Sequence, residues 1–260
     1  MGIVNLTDDS YFADSRCADA DAVLMRVAGM VEDGADIVDL GACSTRPGSL
    51  PVGADEEWRR LAPVLPVLRE AFPDLRLSID TYWSSVVAKA YDSIGDFMVN
   101  DISAGEDDPS MLPLVGRLGL EYVAMHKRGT SVDMQAMTDY EDVTEEVCRY
   151  FTAFAAKADS FGIRNWILDP GFGFAKTVEQ NYELLSRLSL FKEVSPAPRI
   201  LVGVSRKSMI CKPLGISPDE ALPATQAVHM AALMAGADIL RVHDVREARQ
   251  TAVLYNLLDL

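Results

Sequence analysis

The stretch ADIVDLGACSTRPGS, residues 35–49, is an apolar run that passes directly into Ser, Thr, Arg, Pro and Gly. The run has the length and composition of one strand, and the residues after it are typical of a loop that holds an anionic or planar ligand. Seven further apolar runs end in polar residues: MGIVN, LRLSID, FMVND, EYVAMH, WILDPGFGF, ILVGVSRK and ILRVHD. Because longer amphipathic segments separate the runs, the sequence predicts successive βα units around a parallel sheet.

Eight such units favour an α/β fold of the (β/α)8 TIM barrel type, formed as a single domain over residues 1–260. Glycines and prolines lie singly at the ends of apolar runs, and no linker-like segment divides the chain. A doubly wound open sheet is the alternative, but that fold usually has a glycine-rich phosphate turn after its first strand, and NLTDDSYFADS has no glycine. The barrel predicts an active site at the C-terminal ends of the strands.

The composition excludes several classes of function. A formal net charge of −15 argues against a nucleic-acid-binding protein, because phosphate backbones bind to basic surfaces. No apolar run approaches the ~20 residues of a membrane span. The four cysteines are widely spaced, which favours reduced thiols over a metal or disulfide framework. We therefore expect a cytoplasmic protein that binds small molecules and neither nucleic acid nor membrane.

Three polar residues at the ends of different predicted strands form a first candidate group, namely Asp80, Asn100 and Asp169. A barrel directs such side chains towards a shared centre, where carboxylates and an amide suit the donor and acceptor edge of a flat amino-pyrimidine. The alternative for each residue is a buried polar side chain that bonds only to the backbone.

A second candidate group is cationic and lies on the last two predicted strands: Arg206, Lys207, Arg241 and His243. TIM barrels frequently hold phosphate there, and guanidinium and imidazole groups form charge-assisted hydrogen bonds with phosphate oxygens. The alternative is that these charges pair with Asp244 and other carboxylates nearby.

Three further positions have weaker signals. Asn5 and the acidic loop after it offer oxygen ligands for Mg2+, although the loop carboxylates equally suit solvated charges or helix caps. His126 ends the fifth run and is either a catalyst or a satisfied structural histidine. Phe174 follows a glycine-rich turn and offers either an aromatic face to a ligand or ordinary core packing.

The motifs, taken together, resemble one enzyme family. MGIVNLTDDSY, GADIVDLGACSTRPGS, LSIDT, VNDISAG, AMHKRGT, ILDPGFGFAKT, VGVSRKS and LRVHDV occur in the order and spacing of the dihydropteroate synthases. The resemblance implies a (β/α)8 transferase of folate synthesis that uses Mg2+. Such an enzyme joins 6-hydroxymethyl-7,8-dihydropterin diphosphate to p-aminobenzoate and releases 7,8-dihydropteroate and pyrophosphate, through a pterin cation.

The resemblance also implies roles for matching residues around the pterin and the diphosphate. The residues implied to hold the pterin edge are Asp80, Asn100 and Asp169. Lys207 is implied to bond the ring system, with Gly203 leaving room beside it. The residues implied to hold the diphosphate are Arg241, His243 and Asn5, the last through the metal.

The remaining implied roles concern p-aminobenzoate and the first loop. The implied p-aminobenzoate pocket, which sulfonamides would share, comprises Ser44, Thr45, Arg46, Pro47, Phe174 and Ser208. The first loop carries Asp9, but Ala13 occupies the position of the family's second loop aspartate and Asp14 stands one residue later. Asp14 therefore replaces that aspartate only if the loop shifts by one residue.

Two other functions remain as alternatives. A methyltetrahydrofolate–corrinoid methyltransferase would share the pterin pocket, but it needs neither the STRPG loop nor the cationic group at SRKS and RVHD. A non-catalytic barrel that binds pterin is favoured only by the altered first loop. The resemblance implies a homodimer, for which the apolar surfaces of TQAVHMAALMAG and VREARQTAVLYNLL would suffice, although core packing explains them equally well.

Overall fold

The computed structural model describes residues 1–6, 16–43, 52–129, 134–194 and 198–258, without the side chains of residues 16–19 and 135. Strands and helices alternate through these ranges. The strands are β1 (Gly2–Asn5), β2 (Ile37–Gly41), β3 (Arg76–Asp80), β4 (Met98–Asp101), β5 (Glu121–Met125), β6 (Trp166–Asp169), β7 (Arg199–Val202) and β8 (Ile239–Leu240).

The α-helices are α1 (Arg16–Glu32), α2 (Ala54–Leu61), α3 (Leu65–Ala71), α4 (Ser84–Ile94), α5 (Met111–Leu118), α6 (Val143–Ser160), α7 (Val178–Ser186), α8 (Ser208–Leu214), α9 (Leu222–Met234) and α10 (Val245–Asn256). Short 3-10 helices cover Met134–Ala136, Leu188–Glu193 and Pro218–Glu220. Among the helices described, none combines the length and apolar character that crossing a membrane requires.

The strands pair in parallel and in chain order, from β1 to β8. The chain after β8 returns to β1, because the backbone N–H of Ile3 donates to the carbonyl of Val242 at 3.0 Å and that of Val242 donates to Met1 at 2.9 Å. The sequence prediction of eight parallel strands alternating with helices is confirmed, and the fold is TIM-barrel-like.

The core consists of two apolar clusters. The larger cluster lies between the strands and the surrounding helices. The smaller cluster collects buried side chains from Met1 and six strands: Met1, Ile37, Met98, Val123, Ile167, Leu201 and Ile239. Side chains from so many strands meet only on the inner face of a curled sheet, so the smaller cluster is an apolar layer inside the fold.

The strands β7 and β8 are shorter than the sequence predicts, since the predicted runs extend to Lys207 and Asp244 but the strands end at Val202 and Leu240. The chain turns after β7: Lys207 donates its backbone N–H to Val204 at 3.1 Å. Arg206 has a φ of +56°, in the left-handed region. The polar ends of these runs therefore lie in loops and not in strands, which leaves their side chains beside the sheet's C-terminal edge.

Candidate active site

Strand periodicity places polar residues next to the apolar inner layer. Residues i and i+2 of a strand share one face, so the residue two positions after each member of that layer also faces inward. Five such positions are polar or glycine: Asp39 after Ile37, Asn100 after Met98, Asp169 after Ile167, Gly203 after Leu201 and Arg241 after Ile239. The inner face thus changes from apolar to polar towards the C-terminal ends of the strands.

Arg241 is held between two carboxylates at this polar level. Its Nε donates to Asp39 Oδ2 at 2.7 Å and its Nη2 donates to Asp80 Oδ2 at 2.8 Å. Asp39 is fully buried and also accepts hydrogen bonds from the Ser78 hydroxyl at 2.6 Å and from Asn100 Nδ2 at 3.1 Å. Asp39 therefore connects Arg241 with Asn100, two residues for which the sequence suggests different ligand groups.

Burial shifts the pKa values of the carboxyl groups in the polar layer. Burial raises the pKa of Asp80 to about 7; Arg241 opposes this change, whereas Asp39, Asp101 and Asp169 add to it. Burial also raises the pKa of Asp169. Arg241 remains cationic, because its two carboxylate partners outweigh the effect of burial and raise its pKa. The layer can consequently present both neutral and ionised carboxyl groups, which suits the mixed N–H and N edge of a heterocycle.

Asp169 and Lys207 meet at the turn after β6. Asp169 Oδ1 accepts the backbone N–H of Gly171 at 2.8 Å. The Lys207 ammonium donates to the Phe172 carbonyl at 2.6 Å and lies 5.0 Å from the centre of the Phe174 ring. Burial lowers the pKa of Lys207 to about 8, and Asp169 opposes this shift. An amine, a carboxyl group and an aromatic face are thereby brought together.

Gly203 keeps the space between the two cations open. A Cβ atom at this position would lie 3.9 Å from Lys207 Nζ and 3.9 Å from Arg241 Cβ. Any larger side chain would therefore fill the region between them. The room that the resemblance implies beside Lys207 is available at this position.

The outer cations differ from one another in their contacts. His243 is exposed, and its Nδ1 lies 3.1 Å from the hydroxyl of the buried Ser205. Arg206 forms a bidentate pair with Asp244, at 2.8 and 2.7 Å, as the alternative interpretation of this residue predicts. Ser208 is exposed at the first position of α8. His243 is thus more accessible than Arg206 to an anionic ligand.

The side-chain oxygen of Asn5 lies beside Gly41 and close to the carboxyl group of Asp80. A Cβ atom on Gly41 would lie 3.6 Å from Asn5 Oδ1 and 3.6 Å from Asp80 Oδ2, so the glycine leaves space between two side-chain oxygens. Within the described ranges, no group of three or more His, Cys, Asp or Glu residues could hold a metal on its own. The amide oxygen of Asn5 is a ligand type that Mg2+ accepts, since Mg2+ often binds through few protein oxygens and keeps water and phosphate ligands.

Six predicted site residues lie outside the described ranges, namely Asp9, Asp14, Ser44, Thr45, Arg46 and Pro47. The described residues that the structure brings to the C-terminal side of the sheet are Asn5, Asp80, Asn100, Asp169, Phe174, Gly203, Lys207, Ser208, Arg241 and His243.

Sequence reasoning assigns no role to Asp39 and does not find Lys176. Lys176 is 4% exposed, and its Nζ lies 3.0 Å from His126 Nδ1. Burial lowers the pKa of Lys176 to about 7, while Asp169 opposes this. The available signal for Asp39 is a carboxylate inside an apolar run. Lys176 has no comparable signal, because a lysine after a glycine-rich turn is usually solvent-exposed.

A further buried carboxyl group, that of Glu57 on α2, lies near the polar layer. The side chain is fully buried. Burial raises the pKa of Glu57 to about 8, and the negative charge of Asp80 acts in the same direction. Asp101 is different, because its carboxylate is already bonded within the protein: it accepts hydrogen bonds from Ser103 and Gly105 in the loop after β4 and from the Tyr122 hydroxyl on β5.

Comparison with known proteins identifies similar chains. A family model described as "Pterin binding enzyme" matches residues 1–243. The dihydropteroate synthase of Escherichia coli strain K12 is 38% identical over 250 residues, which cover 95% of this chain and 86% of that protein. The folic acid synthesis protein fol1 of Pneumocystis carinii is 40% identical over 95% of this chain, and the chain spans only 34% of its length.

Two solved structures support the same similarity. The Yersinia pestis dihydropteroate synthase, solved with a sulfonamide drug, superposes on this chain with a TM-score of 0.91 at 33% identity. The match covers 99% of this chain and 93% of the Yersinia pestis chain. The Thermus thermophilus dihydropteroate synthase in complex with 4-aminobenzoate has a TM-score of 0.87 at 38% identity, over 99% and 93% of the two chains.

Proposed function

This chain belongs to the pterin-binding enzyme family, in which its relatives are dihydropteroate synthases, and we propose on this basis that it makes 7,8-dihydropteroate. The substrates are 6-hydroxymethyl-7,8-dihydropterin diphosphate and p-aminobenzoate, and the second product is pyrophosphate. The observation that carries the proposal is the position of Arg241, held by Asp39 and Asp80 within a layer of buried polar side chains. A closed (β/α)8 barrel, with its active site at the C-terminal ends of the strands, is part of the proposal.

The buried polar layer binds the pterin. Asp80 and Asp169 accept the N–H groups of the amino-pyrimidine edge, and Asn100 supplies one donor and one acceptor beside them. The Lys207 ammonium donates to the ring system, and Gly203 leaves the ring room between Lys207 and Arg241. Binding a flat ring in a buried layer also fixes the direction of its reactive methylene group.

The diphosphate leaves at the outer edge of the same layer. Arg241 and His243 donate to its oxygens, and Arg241 stays charged because carboxylates surround it. Asn5 would hold Mg2+ with the diphosphate, and the ion would neutralise charge on the leaving group when bound. The contacts of Arg241 and His243 strengthen as the C–O bond breaks, since negative charge then moves onto the pyrophosphate.

The chemical step requires no side-chain nucleophile. The methylene C–O bond breaks, its electron pair leaves with pyrophosphate, and the electron-rich pterin delocalises the cation that remains. The amine of p-aminobenzoate then forms the C–N bond and loses one proton, which pyrophosphate or water accepts. Phe174 and Ser208 line the p-aminobenzoate site together with a segment outside the described residues: Ser44, Thr45, Arg46 and Pro47.

Product formation by matched variants tests this proposal. With Mg2+ and both substrates, the unmodified chain should form dihydropteroate, detected by chromatography. The Arg241→Met variant should lose on the order of 10²-fold or more in kcat, as does removal of a group that stabilises transition-state charge. Arg249→Met removes a half-exposed arginine on α10 and should leave the rate unchanged. Pterin binding by the unmodified chain without product would instead favour a non-catalytic barrel.

We also propose that the protein forms a homodimer and that it resides in the cytoplasm. Met234, Leu254 and Leu257 are 60%, 58% and 73% exposed at the ends of α9 and α10, and a second copy of the chain would cover these side chains. Light scattering after size-exclusion chromatography should give a mass near twice 28.4 kDa. A monomer mass at micromolar concentration would contradict the dimer.

A further inference from the structure

The Lys176 side chain is buried and makes three hydrogen bonds. Its Nζ lies 3.0 Å from His126 Nδ1, 3.0 Å from the Gly171 carbonyl and 3.0 Å from the Phe174 carbonyl. A protonated amine has three N–H donors, so these three acceptors satisfy it completely. Burial and the neighbouring Lys176 hold the pKa of His126 well below its usual range. The neutral imidazole can therefore accept at Nδ1.

Two of those acceptors, the carbonyls of Gly171 and Phe174, belong to the turn of residues 170–175, whose backbone enters the left-handed region. Gly171, Gly173 and Ala175 have φ values of +73°, +82° and +51°. Ala175 has a Cβ atom, so its left-handed conformation is strained and persists only where the surroundings hold it. A Cβ atom on Gly171 would lie 1.9 Å from the His126 carbonyl oxygen, so the turn packs directly on the end of β5.

The same turn carries groups that the proposed reaction uses. The carbonyl of Phe172 accepts a hydrogen bond from Lys207 at 2.6 Å. The Phe174 ring lies 5.0 Å from the same ammonium. A change in the backbone of the turn would therefore move both the aromatic face and the amine that contact the substrates.

We propose that Lys176 is a positioning residue that ties residues 171–174 to His126 and thereby sets the places of Phe174 and Lys207. The substrate roles of Phe174 and Lys207 rest on the proposed function, whereas the tie itself does not. Lys176 is 4% exposed and directs its donors at protein atoms, so it has no role in contacting substrate. It acts through the carbonyls of Gly171 and Phe174.

Three variants separate this role from simple packing. Lys176→Met keeps most of the side-chain volume but removes all three donors. His126→Leu removes one of the three acceptors and leaves both bonds to the turn, so its effect should be smaller. Lys157→Met changes an exposed lysine on α6 and is the matched control. Circular dichroism and thermal melting establish that each variant folds, and His126→Leu remains as the test if Lys176→Met does not fold.

Hydrogen exchange tests the tie without reference to any activity. In the unmodified chain, the amides of residues 171–174 should exchange slowly. Lys176→Met should speed the exchange of these amides on the order of tenfold or more, and His126→Leu should speed it less. Lys157→Met should leave their exchange unchanged. Peptides from β2 and β3 should exchange at the same rate in all variants. Unchanged exchange of residues 171–174 in a folded Lys176→Met protein would overturn the proposal.

Steady-state kinetics tests the consequence for catalysis. The KM for p-aminobenzoate should rise on the order of tenfold in Lys176→Met, with a smaller rise in His126→Leu. The dissociation constant of the dihydropterin diphosphate should rise less, by about threefold, because Lys207 moves with the turn while Asp80 and Asn100 keep their places on other strands. An unchanged KM for p-aminobenzoate in a folded Lys176→Met protein would refute the positioning role. If the unmodified chain makes no product, the proposed function is wrong. The hydrogen-exchange experiment then still tests whether Lys176 holds residues 171–174 against His126.

Discussion

Replacing Asp39 by Asn should weaken both the fold and the reaction, because Asp39 is the fully buried partner of Arg241. The N–O distances of 2.6 and 2.7 Å place the two charge centres about 4 Å apart. At an effective dielectric constant of about 20, this separation corresponds to roughly 4 kcal/mol. The asparagine oxygen can still accept one hydrogen bond, which offsets about 1 kcal/mol of this lost interaction energy. The expected loss of unfolding free energy is therefore about 3 kcal/mol.

The Asp39→Asn variant also has an expected electrostatic signature. The charge of Asp39 is one cause of the raised pKa of Asp80, so its removal should lower that pKa from about 7. A carboxyl group whose folded-state pKa exceeds its ordinary value of 3.8 makes stability fall as pH rises between these two values. The contribution of Asp80 to that fall should be smaller in the variant. The kcat should drop at least about tenfold, because Arg241 keeps only Asp80 to orient it.

Urea unfolding between about pH 4 and pH 8 measures the stability terms, and dihydropteroate formation measures kcat. Asp36→Asn is the matched control, since Asp36 directly precedes the same strand and its side chain is 80% exposed. The control should change the unfolding free energy by less than about 0.5 kcal/mol. If Asp39→Asn behaves like the control in both assays, the assignment of Arg241 as a residue oriented by a buried carboxylate is wrong.

Three further changes test other parts of the structure. Gly171→Ala should cost more than about 3 kcal/mol in urea unfolding, because its Cβ would meet the His126 carbonyl, whereas Gly162→Ala, at a similar φ of +76° in open space, should cost only about 1–2 kcal/mol. Glu57→Gln should gain stability over the unmodified chain as pH rises from about 4.5 to about 8, because the raised pKa of Glu57 makes its ionisation unfavourable to the folded state; a constant difference across that range would refute this. Phe174→Ala should raise the KM for p-aminobenzoate about tenfold with little change in pterin affinity, and an unchanged KM would remove Phe174 from that site.

The alternation of strands and helices is predictable from the sequence because each apolar run is bounded by polar or glycine residues. Run length is less informative at the end of the chain. The run ILVGVSRK looks like one strand, but the left-handed Arg206 and its backbone bond to the Thr225 side chain, at 3.2 Å, belong to a turn. A conformation fixed by a side chain 19 residues further along cannot be read from local pattern.

Some residues of the candidate site are predictable from the local sequence, whereas others are recognised only through contacts between distant parts of the chain. Asp80, Asn100 and Asp169 can be found from the sequence because each lies at the end of its own strand run. The pairing of Arg241 with Asp39 joins residues 202 positions apart, so only the folded arrangement shows it. Lys176 is hidden for a related reason: its acceptors include His126 on a different strand run, 50 positions earlier.

Product analysis with and without the second substrate decides whether this site condenses the two molecules. The purified chain is mixed with dihydropterin diphosphate and Mg2+, with and without p-aminobenzoate, and both pyrophosphate and dihydropteroate are quantified over time. We expect the two products to appear in equal amounts and only when both substrates are present. Pyrophosphate without dihydropteroate, or tight pterin binding with neither product, would contradict the proposed condensation.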